Sequence, residues 1–478
     1  MKKFCCCSFI AFSLIFSSVQ AITLEEALVA AFLNNKEWAA NKTDKNAADA
    51  RFRQSVLAYL PSINGVISTS RERTDRRGNS VVDQYYHKSE STGTTMRIEL
   101  SQNLFSGFST TNTMLAAEHS NNAAYHKLKS EEQSLVLNVV NAYTEIWFSR
   151  KRVEALKKMV TNLENTLKAQ QSSLEAGMST PTDVAEADSK YQAAIYSLIN
   201  AETELMTAES EFERLTGLKA DNNMELPDFR FELPESVNKL ISHAMTSNST
   251  INMAKLQEQA ALKNLDATRG RLSPSCDATL SASKQVSKER TDGVRGFDSN
   301  PQHYSATVAV TIPIFNNSNG SNTYSQIEIA NQEAMKTKFS AEDTVLKVKR
   351  DCVVYWNRYK SAVAMIEASR SAVKSAELSS EGDIEESALG LKSNTDIWAK
   401  ENNLLESRVN LAKSQKEKII AAVTLLSLTG DLSVNSILTS IRKSVLRSKN
   451  KQDKQDTTQL DNNHHIKQQV KQQPIIAS

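Results

Sequence analysis

The segment Gly177–Val184 reads Gly-Met-Ser-Thr-Pro-Thr-Asp-Val, and the segment Gly390–Ile397 reads Gly-Leu-Lys-Ser-Asn-Thr-Asp-Ile. A single shift along the chain aligns the two segments, and nearly the same shift aligns three other pairs. These pairs are Leu60–Ser62 with Leu272–Ser275, Leu104–Gly107 with Ile314–Asn317, and Leu215–Gly217 with Leu428–Gly430. Near-constant offsets at separate landmarks indicate that the chain consists of two copies of one structural unit.

This repeat predicts the domain organisation. We expect a first repeat at residues 22–217, a linker at 218–234 and a second repeat at 235–430. The remaining segment, 431–478, ends in a tail rich in lysine, glutamine and asparagine, a composition typical of disorder.

Residues 1–21 have the pattern of a secretory signal peptide. Lys2 and Lys3 precede an apolar run, and Val19-Gln20-Ala21 offers a small-residue cleavage site. No later stretch has the apolar length of a membrane-spanning helix, so the mature chain could cross a membrane only as a closed sheet.

Each repeat is predicted to contain the same order of elements. A helix (Leu24–Leu57 or Glu235–Gly270) precedes two alternating stretches, and a long helix (Phe108–Ala176 or Ser321–Leu389) follows them. A last helix runs from the glycine turn to the Leu-Thr-Gly signature. The long helix has roughly 69 residues, about 100 Å, and the two shorter helices have roughly 34 and 35 residues, about 50 Å each. Each repeat can therefore form an antiparallel pair of equal rods, one continuous and one in two pieces.

The long helix of the first repeat carries a heptad pattern. One seam consists of Val139, Ile146, Val153, Val160, Leu167 and Leu174, and the companion seam of Leu135, Ala142, Leu156 and Leu163, with Ser149 as its exception. Apolar residues at this period predict coiled-coil packing.

The alternating stretches predict β-strands of about nine residues with one apolar face. Met96, Ile98 and Leu100 show the pattern in the first repeat, and Tyr304 to Ile312 shows it in the second. Four such strands are too few to close a barrel, and an open edge in lipid is prohibitive. Three chains would supply twelve strands, so the pattern predicts a trimer.

Composition and motifs exclude several other functions. The formal net charge is +2, but the body between the basic leader and the basic tail is mildly acidic, which argues against nucleic acid as a partner. The chain lacks the glycine-rich phosphate loops and the nucleophile elbow of common enzymes. We therefore predict no enzymatic activity, no cofactor and no metal site.

These features together resemble the TolC-like outer-membrane efflux protein family. The resemblance covers roughly residues 23–430, and its markers are the doubled strand–strand–long-helix unit and the Gly-x-x-x-x-Thr-Asp-Val/Ile turn. It implies a mainly α fold with a small β part: a long antiparallel coiled-coil helical barrel whose four strands per chain complete a trimeric, twelve-stranded transmembrane β-barrel.

The resemblance also implies a function. The homotrimer would sit in the lipid of the Gram-negative outer membrane, extend into the periplasm, and work with a periplasmic membrane-fusion adaptor and an inner-membrane transporter. It would passively conduct substrates outward in a tripartite efflux or type I secretion system. The alternative that the helices alone allow is a soluble periplasmic coiled-coil adaptor or scaffold without a pore.

The resemblance places candidate functional residues in the two glycine turns. Adaptor docking at the periplasmic tip is implied for Ala176, Gly177, Met178, Leu389, Gly390 and Leu391. The glycines equally fit a purely structural role as helix C-caps. A pore constriction is implied for Asp396 with Thr395 and Lys392, because three symmetry copies of the carboxylate would meet on the axis.

A structural reading of the same turns stays open. Thr180 and Asp183, and likewise Ser393 and Asp396, have the three-residue spacing of a helix-capping box. Capping is favoured for Asp183, whereas capping and constriction are equally good explanations of Asp396.

The chain departs from the family pattern near Asp396. Ala399 stands where a second ring aspartate falls, Lys392 replaces an arginine and Ser387 replaces its tyrosine partner. These differences predict a single-ring constriction and a looser latch.

The two polar segments 71–92 and 285–302 are predicted to be exterior loops. Four arginines make the first one basic: Arg71, Arg73, Arg76 and Arg77. That charge fits a solvated loop, and it also fits contact with anionic lipopolysaccharide.

Overall fold

The computed structural model describes residues 22–79, 84–221, 224–226, 234–291, 294–296, 298–314, 317–318, 321–388 and 394–433. The predicted signal peptide, part of the predicted linker and most of the predicted tail lie outside these ranges.

The described residues form eight helices and seven strands. The helices are α1 (Leu24–Asn34), α2 (Lys36–Leu57), α3 (Ser109–Glu175), α4 (Pro181–Thr216), α5 (Val237–Ser247), α6 (Ser249–Gly270), α7 (Thr323–Ala388) and α8 (Asn394–Thr429). The strands are β1 (Ser62–Asn79), β2 (Gln84–Ser106), β3 (Ser275–Thr291), β4 (Val294–Arg295), β5 (Gln302–Thr311), β6 (Asn317–Ser318) and β7 (Ser321–Asn322). The predicted fold class, mainly helical with a small β part, is confirmed.

Each predicted first helix of a repeat is in fact two helices, which corrects the sequence-based expectation. Asn35 ends α1 with an extended ψ of 121°, and Asn248 ends α5 with a ψ of 123°. The Asn35 side chain donates 3.3 Å to the Leu215 carbonyl oxygen, and the Asn248 side chain donates 2.9 Å to the Leu428 carbonyl oxygen. Asparagine leaves the helix here because its side chain satisfies carbonyls at the end of another helix.

The principal sheet is antiparallel and joins the two repeats. Its long strands lie in the order β1-β2-β3-β5, and β4 pairs with the outer end of β3 on the same edge as β5. The central β2–β3 pairing runs from Ser89 opposite Thr291 to Ser106 opposite Ser275, with one irregularity between Asn103 and Phe105.

Three strands are much longer than the predicted nine residues. β1 has 18 residues, β2 has 23 and β3 has 17, whereas β5 has 10. Much of the two segments predicted as exterior loops is therefore strand. The polar residues there continue the hydrogen-bonded ladder, because cross-strand pairing satisfies backbone groups whatever the polarity of the side chains.

The chain divides into two compact units. The first contains the described residues of 1–39, 131–248 and 349–478, and the second contains those of 40–130 and 249–348. Both repeats contribute to both units.

The largest core of the first unit surrounds the predicted coiled-coil seam of α3. Val139 and Ile146 have no exposed surface, and Phe212 of α4 packs with them, also fully buried. The companion seam is buried too, including Ser149 at 5% exposure. Tyr143 lies in the same core, and its hydroxyl shares its one hydrogen between the carbonyl oxygens of Ile22 and Glu225. The heptad pattern therefore identified the helix face that packs.

In the second unit the end of β2 and the end of α6 approach closely. A Cβ atom on Gly107 would lie 2.3 Å from the Gly270 carbonyl oxygen, and one on Gly270 would lie 2.5 Å from the Gly107 carbonyl oxygen. Gly107 and Phe108 both have positive φ, of 63° and 61°. Two glycines thus allow the strand-to-helix junction to pass against α6.

Within the described ranges, no helix combines the length and the apolar character needed to cross a membrane.

Candidate functional site

The principal sheet has two faces of opposite chemistry, fixed by its register. Residues paired across strands point to the same side of a sheet, and successive residues alternate. One face carries the odd-numbered residues of β1 and the even-numbered residues of β3 and β5. On β2 it carries the even-numbered residues up to Gln102, before the irregularity between Asn103 and Phe105. We call it the apolar face and call the opposite side the polar face.

The apolar face carries a band of exposed hydrophobic side chains. One row aligns Ile63, Leu100, Leu280 and Ala306, and the next row aligns Gly65, Ile98, Ala282 and Tyr304. Ile63 is 68% exposed and Tyr304 is 78% exposed. Hydrophobic side chains exposed over adjacent rows mark a surface that meets an apolar environment.

The polar face is lined mainly by small hydroxyl side chains. One row aligns Asn64, Glu99, Ser281 and Ser305, and another aligns Val66, Arg97, Ser283 and His303. The hydroxyls of Ser281 and Ser305 are 2.8 Å apart and share a hydrogen bond. This face suits contact with water.

The sheet is open at both edges within the described residues. β1 pairs only with β2, and β5 pairs only with β3. Unpaired backbone groups along two edges are a template for pairing with further strands.

The turn between α3 and α4 is a Schellman motif followed by a helix cap. Gly177 has a φ of 75°, and its N–H donates 3.0 Å to the Leu174 carbonyl oxygen. The N–H of Met178 donates 2.8 Å to the Ser173 carbonyl oxygen, which completes the motif. Ala176 is exposed, and the Met178 side chain is 80% exposed. An exposed methionine at a sharp turn is available for contact with a partner.

Thr180 is the N-cap of α4, and it forms a reciprocal box with Asp183. The Asp183 N–H donates 3.3 Å to Thr180 Oγ1, and the Thr180 N–H donates 3.0 Å to Asp183 Oδ2. The hydroxyl groups of Thr180 and Ser179 also donate to that carboxylate. These hydrogen bonds, led by the one from the Thr180 backbone, lower the pKa of Asp183. The carboxylate of Asp183 is thus engaged within its own turn.

The second glycine turn lies largely outside the described residues. This applies to Leu389, Gly390, Leu391, Lys392 and Ser393. Thr395 and Asp396 belong to the first turn of α8, where Asp396 is the third residue, but their side chains are outside the described part. The position of Asp396 on α8 is the N3 position of a capping box if Ser393 is the N-cap.

Two residues just beyond Asp396 make contacts that the sequence did not predict. The Trp398 ring lies 5.5 Å from Lys190 Nζ of α4 and packs against a buried cluster that includes Met159, Leu163 and Ala194. Glu401 is only 5% exposed. Its carboxylate accepts hydrogen bonds from Asn162 of α3 and Ser380 of α7.

The asparagine contacts could have been found from the repeat. Asn35 and Asn248 are related by the same shift along the chain as the two glycine turns. The helix ends that they contact, Leu215 and Leu428, are related by that shift as well. A polar residue repeated inside two predicted helices was the signal for a break.

Among the described residues, no group of three or more histidine, cysteine, aspartate or glutamate side chains is placed to hold a metal ion.

A doubled unit with an amphipathic, open-edged sheet and long paired helices defines a class of membrane-channel chains. The family model of the outer membrane efflux proteins matches residues 27–218 and 240–431. The outer membrane efflux protein BepC of Brucella suis is 27% identical over 416 residues, which cover 87% of each chain. The outer membrane protein TolC of Vibrio cholerae is 23% identical over 427 residues, which cover 88% of this chain and 94% of TolC.

Solved structures show the same fold. The crystal structure of the CmeC outer membrane channel of Campylobacter jejuni matches with a TM-score of 0.69 at 16% identity, and the match covers 87% of this chain and 89% of CmeC.

This chain belongs to the outer membrane efflux protein family. It is an outer-membrane channel for efflux or secretion that extends into the periplasm, as the resemblance implied. The predicted partners, two further copies of the chain, a periplasmic adaptor and an inner-membrane transporter, are those of the family. The family is one of passive channels, and the alternative of a soluble adaptor without a pore is not supported.

Proposed function

We propose that three copies of this chain close their sheets into a twelve-stranded barrel, whose polar face lines a water-filled lumen and whose apolar face contacts lipid. The observation that carries the proposal is the register. It gathers most of the hydroxyl-bearing residues on one face and the hydrophobic band on the other, and within the described residues it leaves β1 and β5 each with an unpaired edge. Lipid leaves backbone groups at an open edge without partners, so β1 of one copy must pair with β5 of the next.

A pair of cysteine variants at adjacent positions tests which face lines the pore. Ser281 lies on the polar face and Leu280 on the apolar face of β3. Both variants are made in a chain in which Cys276 and Cys352 are replaced by serine. We expect a membrane-impermeant, charged methanethiosulfonate reagent to modify Ser281→Cys and to lower single-channel conductance in planar bilayers. Leu280→Cys should not respond, and a response confined to Leu280→Cys would overturn the proposed orientation.

Conduction through the channel requires no chemical change in the substrate. We propose that substrates pass unchanged, so the chain acts as a passive duct without catalytic residues or a cofactor. The direction of transport then comes from the inner-membrane transporter.

The two glycine turns are the proposed docking sites for the periplasmic adaptor. Support comes from the turn of the first repeat, which exposes Ala176, Gly177 and the apolar side chain of Met178. Leu389, Gly390 and Leu391 are the counterparts of these residues in the sequence of the second repeat. Met178→Asp in the turn should selectively weaken cross-linking to the adaptor in intact cells, compared with Met206→Asp at an exposed methionine within α4.

Asp396 is the proposed constriction of the pore, flanked by Thr395 and Lys392. Three carboxylates on the axis would repel one another and would favour cations. With Ala399 in place of a second aspartate, and with Lys392 and Ser387 at the latch positions, one ring alone would narrow the entrance.

Asp183 provides the control that separates constriction from capping. Asp396→Ala should raise conductance and lower cation selectivity, whereas Asp183→Ala, which removes the corresponding cap in the first repeat, should leave both unchanged. Equal effects of the two substitutions on stability, with no change in conductance for either, would leave Asp396 with a capping role only.

A further inference from the structure

The apolar face changes character along the strands, toward the end that carries the β1–β2 connection. Beyond the hydrophobic band, cationic side chains occupy the same face on β1 and β3: Arg71, Arg73, Lys288 and Arg290, with Lys284 lower on β3 in the row of Ile67 and Met96. All of them are exposed. These cations lie on the face proposed to contact lipid. If they served only to solvate a loop, they would not need to share one face of the sheet.

The carboxylates of this region do not neutralise the cations of β3. Glu90 of β2 lies 3.4 Å from Arg71 and 3.9 Å from Arg73, and Asp75 lies 3.5 Å from Arg73. No ion pair among the described residues reaches Lys284, Lys288 or Arg290. Cations therefore exceed carboxylates on this part of the face.

One row has the form of an anion site. Arg71 and Lys288 stand opposite each other across Thr92, whose short exposed side chain leaves a gap between them. Strands two apart are separated by about 10 Å, a distance that two long basic side chains can close around a phosphate. The Thr92 hydroxyl supplies a further donor at the floor of the gap.

The height of this row matches a lipid headgroup. Phe105, which packs edge-on against Phe108 with ring centroids 5.4 Å apart, is paired with Cys276 near the helical end of the sheet. Lys288 is twelve residues further along β3 than Cys276. That separation is about 40 Å along the strand, or about 30 Å along the membrane normal at a tilt of about 40°. The row therefore lies about one hydrocarbon thickness from the aromatic pair.

Hydrophobic side chains continue from the row into the membrane. Below Arg71 on the same face lie Thr69 and then Ile67, which is 74% exposed, with Met96 beside it at 51%. A ligand that contacts both the Arg71–Lys288 row and the Ile67–Met96 row must have an anionic head and an apolar tail.

We propose that Arg71, Thr92 and Lys288 bind a phosphate group of the phosphorylated glycolipid of the outer leaflet, lipopolysaccharide, while its acyl chains lie against Ile67 and Met96. This inference rests on the proposed function, because barrel closure turns the apolar face toward lipid. The charge pattern then fixes both the depth of the channel and the lipid that surrounds it.

Native mass spectrometry of the purified trimer tests the inference with lipid A as the probe. Bisphosphorylated lipid A should bind more tightly than the same lipid after phosphatase treatment. The double variant Arg71→Gln/Lys288→Gln should lose about tenfold in affinity for the bisphosphorylated form. The exchange Arg71→Lys/Lys288→Arg keeps both charges and should retain binding.

The matched control is Arg97→Gln, which removes a cation from β2 on the opposite face. It should leave lipid A binding unchanged. Equal loss in Arg97→Gln, unchanged binding in the double variant, or equally tight binding of dephosphorylated lipid A or phosphatidylglycerol would each overturn the inference.

Conductance separates this inference from the proposed function. The double variant should form trimers with unchanged single-channel conductance, because its substitutions lie on the face away from the lumen. If the Ser281→Cys and Leu280→Cys test fails, the proposed orientation is wrong. If that test succeeds and lipid A binding does not depend on Arg71 and Lys288, only the lipid site is wrong.

Discussion

The buried carboxylate of Glu401 in α8 accepts a hydrogen bond of 2.9 Å from the side-chain amide of Asn162 in α3. Its other oxygen accepts a hydrogen bond of 2.5 Å from the Ser380 hydroxyl of α7. One side chain thus ties together three helices, and both its partners are neutral donors. The Glu401 carboxylate is the acceptor that these two donors need in the helix interface, because buried donors are almost always hydrogen-bonded.

Glu401→Leu should destabilise the helical part of the protein. The substitution leaves the Asn162 amide and the Ser380 hydroxyl without their acceptor, at a cost of about 1–3 kcal/mol for each. A lower midpoint of thermal unfolding, followed by circular dichroism, would show the effect. Glu406→Leu, at an exposed position of the same helix, should change the midpoint little. Equal shifts for the two variants would contradict the assigned role of Glu401.

Three glycines with the same backbone conformation should tolerate alanine very differently. Gly177, Gly217 and Gly430 all have φ between 72° and 77°, so each substitution carries a cost of about 1–2 kcal/mol for the left-handed backbone. A Cβ at Gly177 meets nothing within 4 Å, and at Gly217 it lies 3.0 Å from the Asn34 side chain. At Gly430 it would lie 2.3 Å from the Ser247 carbonyl oxygen.

Gly430→Ala should therefore be the most damaging of the three and Gly177→Ala the least. Thermal midpoints of the purified proteins, and the yield of folded trimer in outer-membrane fractions, would rank them. The same loss in all three variants would mean that the backbone conformation alone sets the cost.

The capping box at Asp183 should contribute stability in a pH-dependent way. Its hydrogen bonds lower the pKa below the ordinary value of 3.8, so the ionised form is favoured in the folded state. The contribution is present above that ordinary value and is lost as pH falls through the lowered pKa. The difference in thermal midpoint between the native chain and Asp183→Asn should be full at pH 7 and should shrink below pH 3.8. A difference that does not change with pH would exclude this role.

Cys352 should resist thiol reagents until the protein unfolds. It is fully buried in α7, and burial, with a smaller effect from Asp351, raises its pKa to about 11. The neutral thiol is a poor nucleophile, and the reagent cannot reach it. In a Cys276→Ser chain, a maleimide at pH 8 should label Cys352 only after addition of denaturant. Labelling of the native protein would show that α7 opens at this position.

The sequence alone determined the class of protein and most of the element order. The repeated offsets, the heptad seam on α3 and the alternating stretches are local or periodic patterns, and helices and strands follow directly from such periods. The motif Gly177–Val184 likewise predicted the turn in which Gly177 ends one helix and Thr180 begins the next.

The tertiary structure decided the helix breaks, the strand lengths and the contacts between residues far apart in the chain, which local patterns do not specify. The breaks at Asn35 and Asn248 depend on carbonyl groups that lie far away in the chain. The true strand lengths depend on partners, since the ladder from Arg71 to Asn79 forms only because β2 lies beside it. The register set Arg71 beside Thr92 and Lys288 on one face, and helix packing buried Glu401 between Asn162 and Ser380. Hydrogen bonds and charges are satisfied by whichever groups lie close in space, and that proximity is a property of the folded chain.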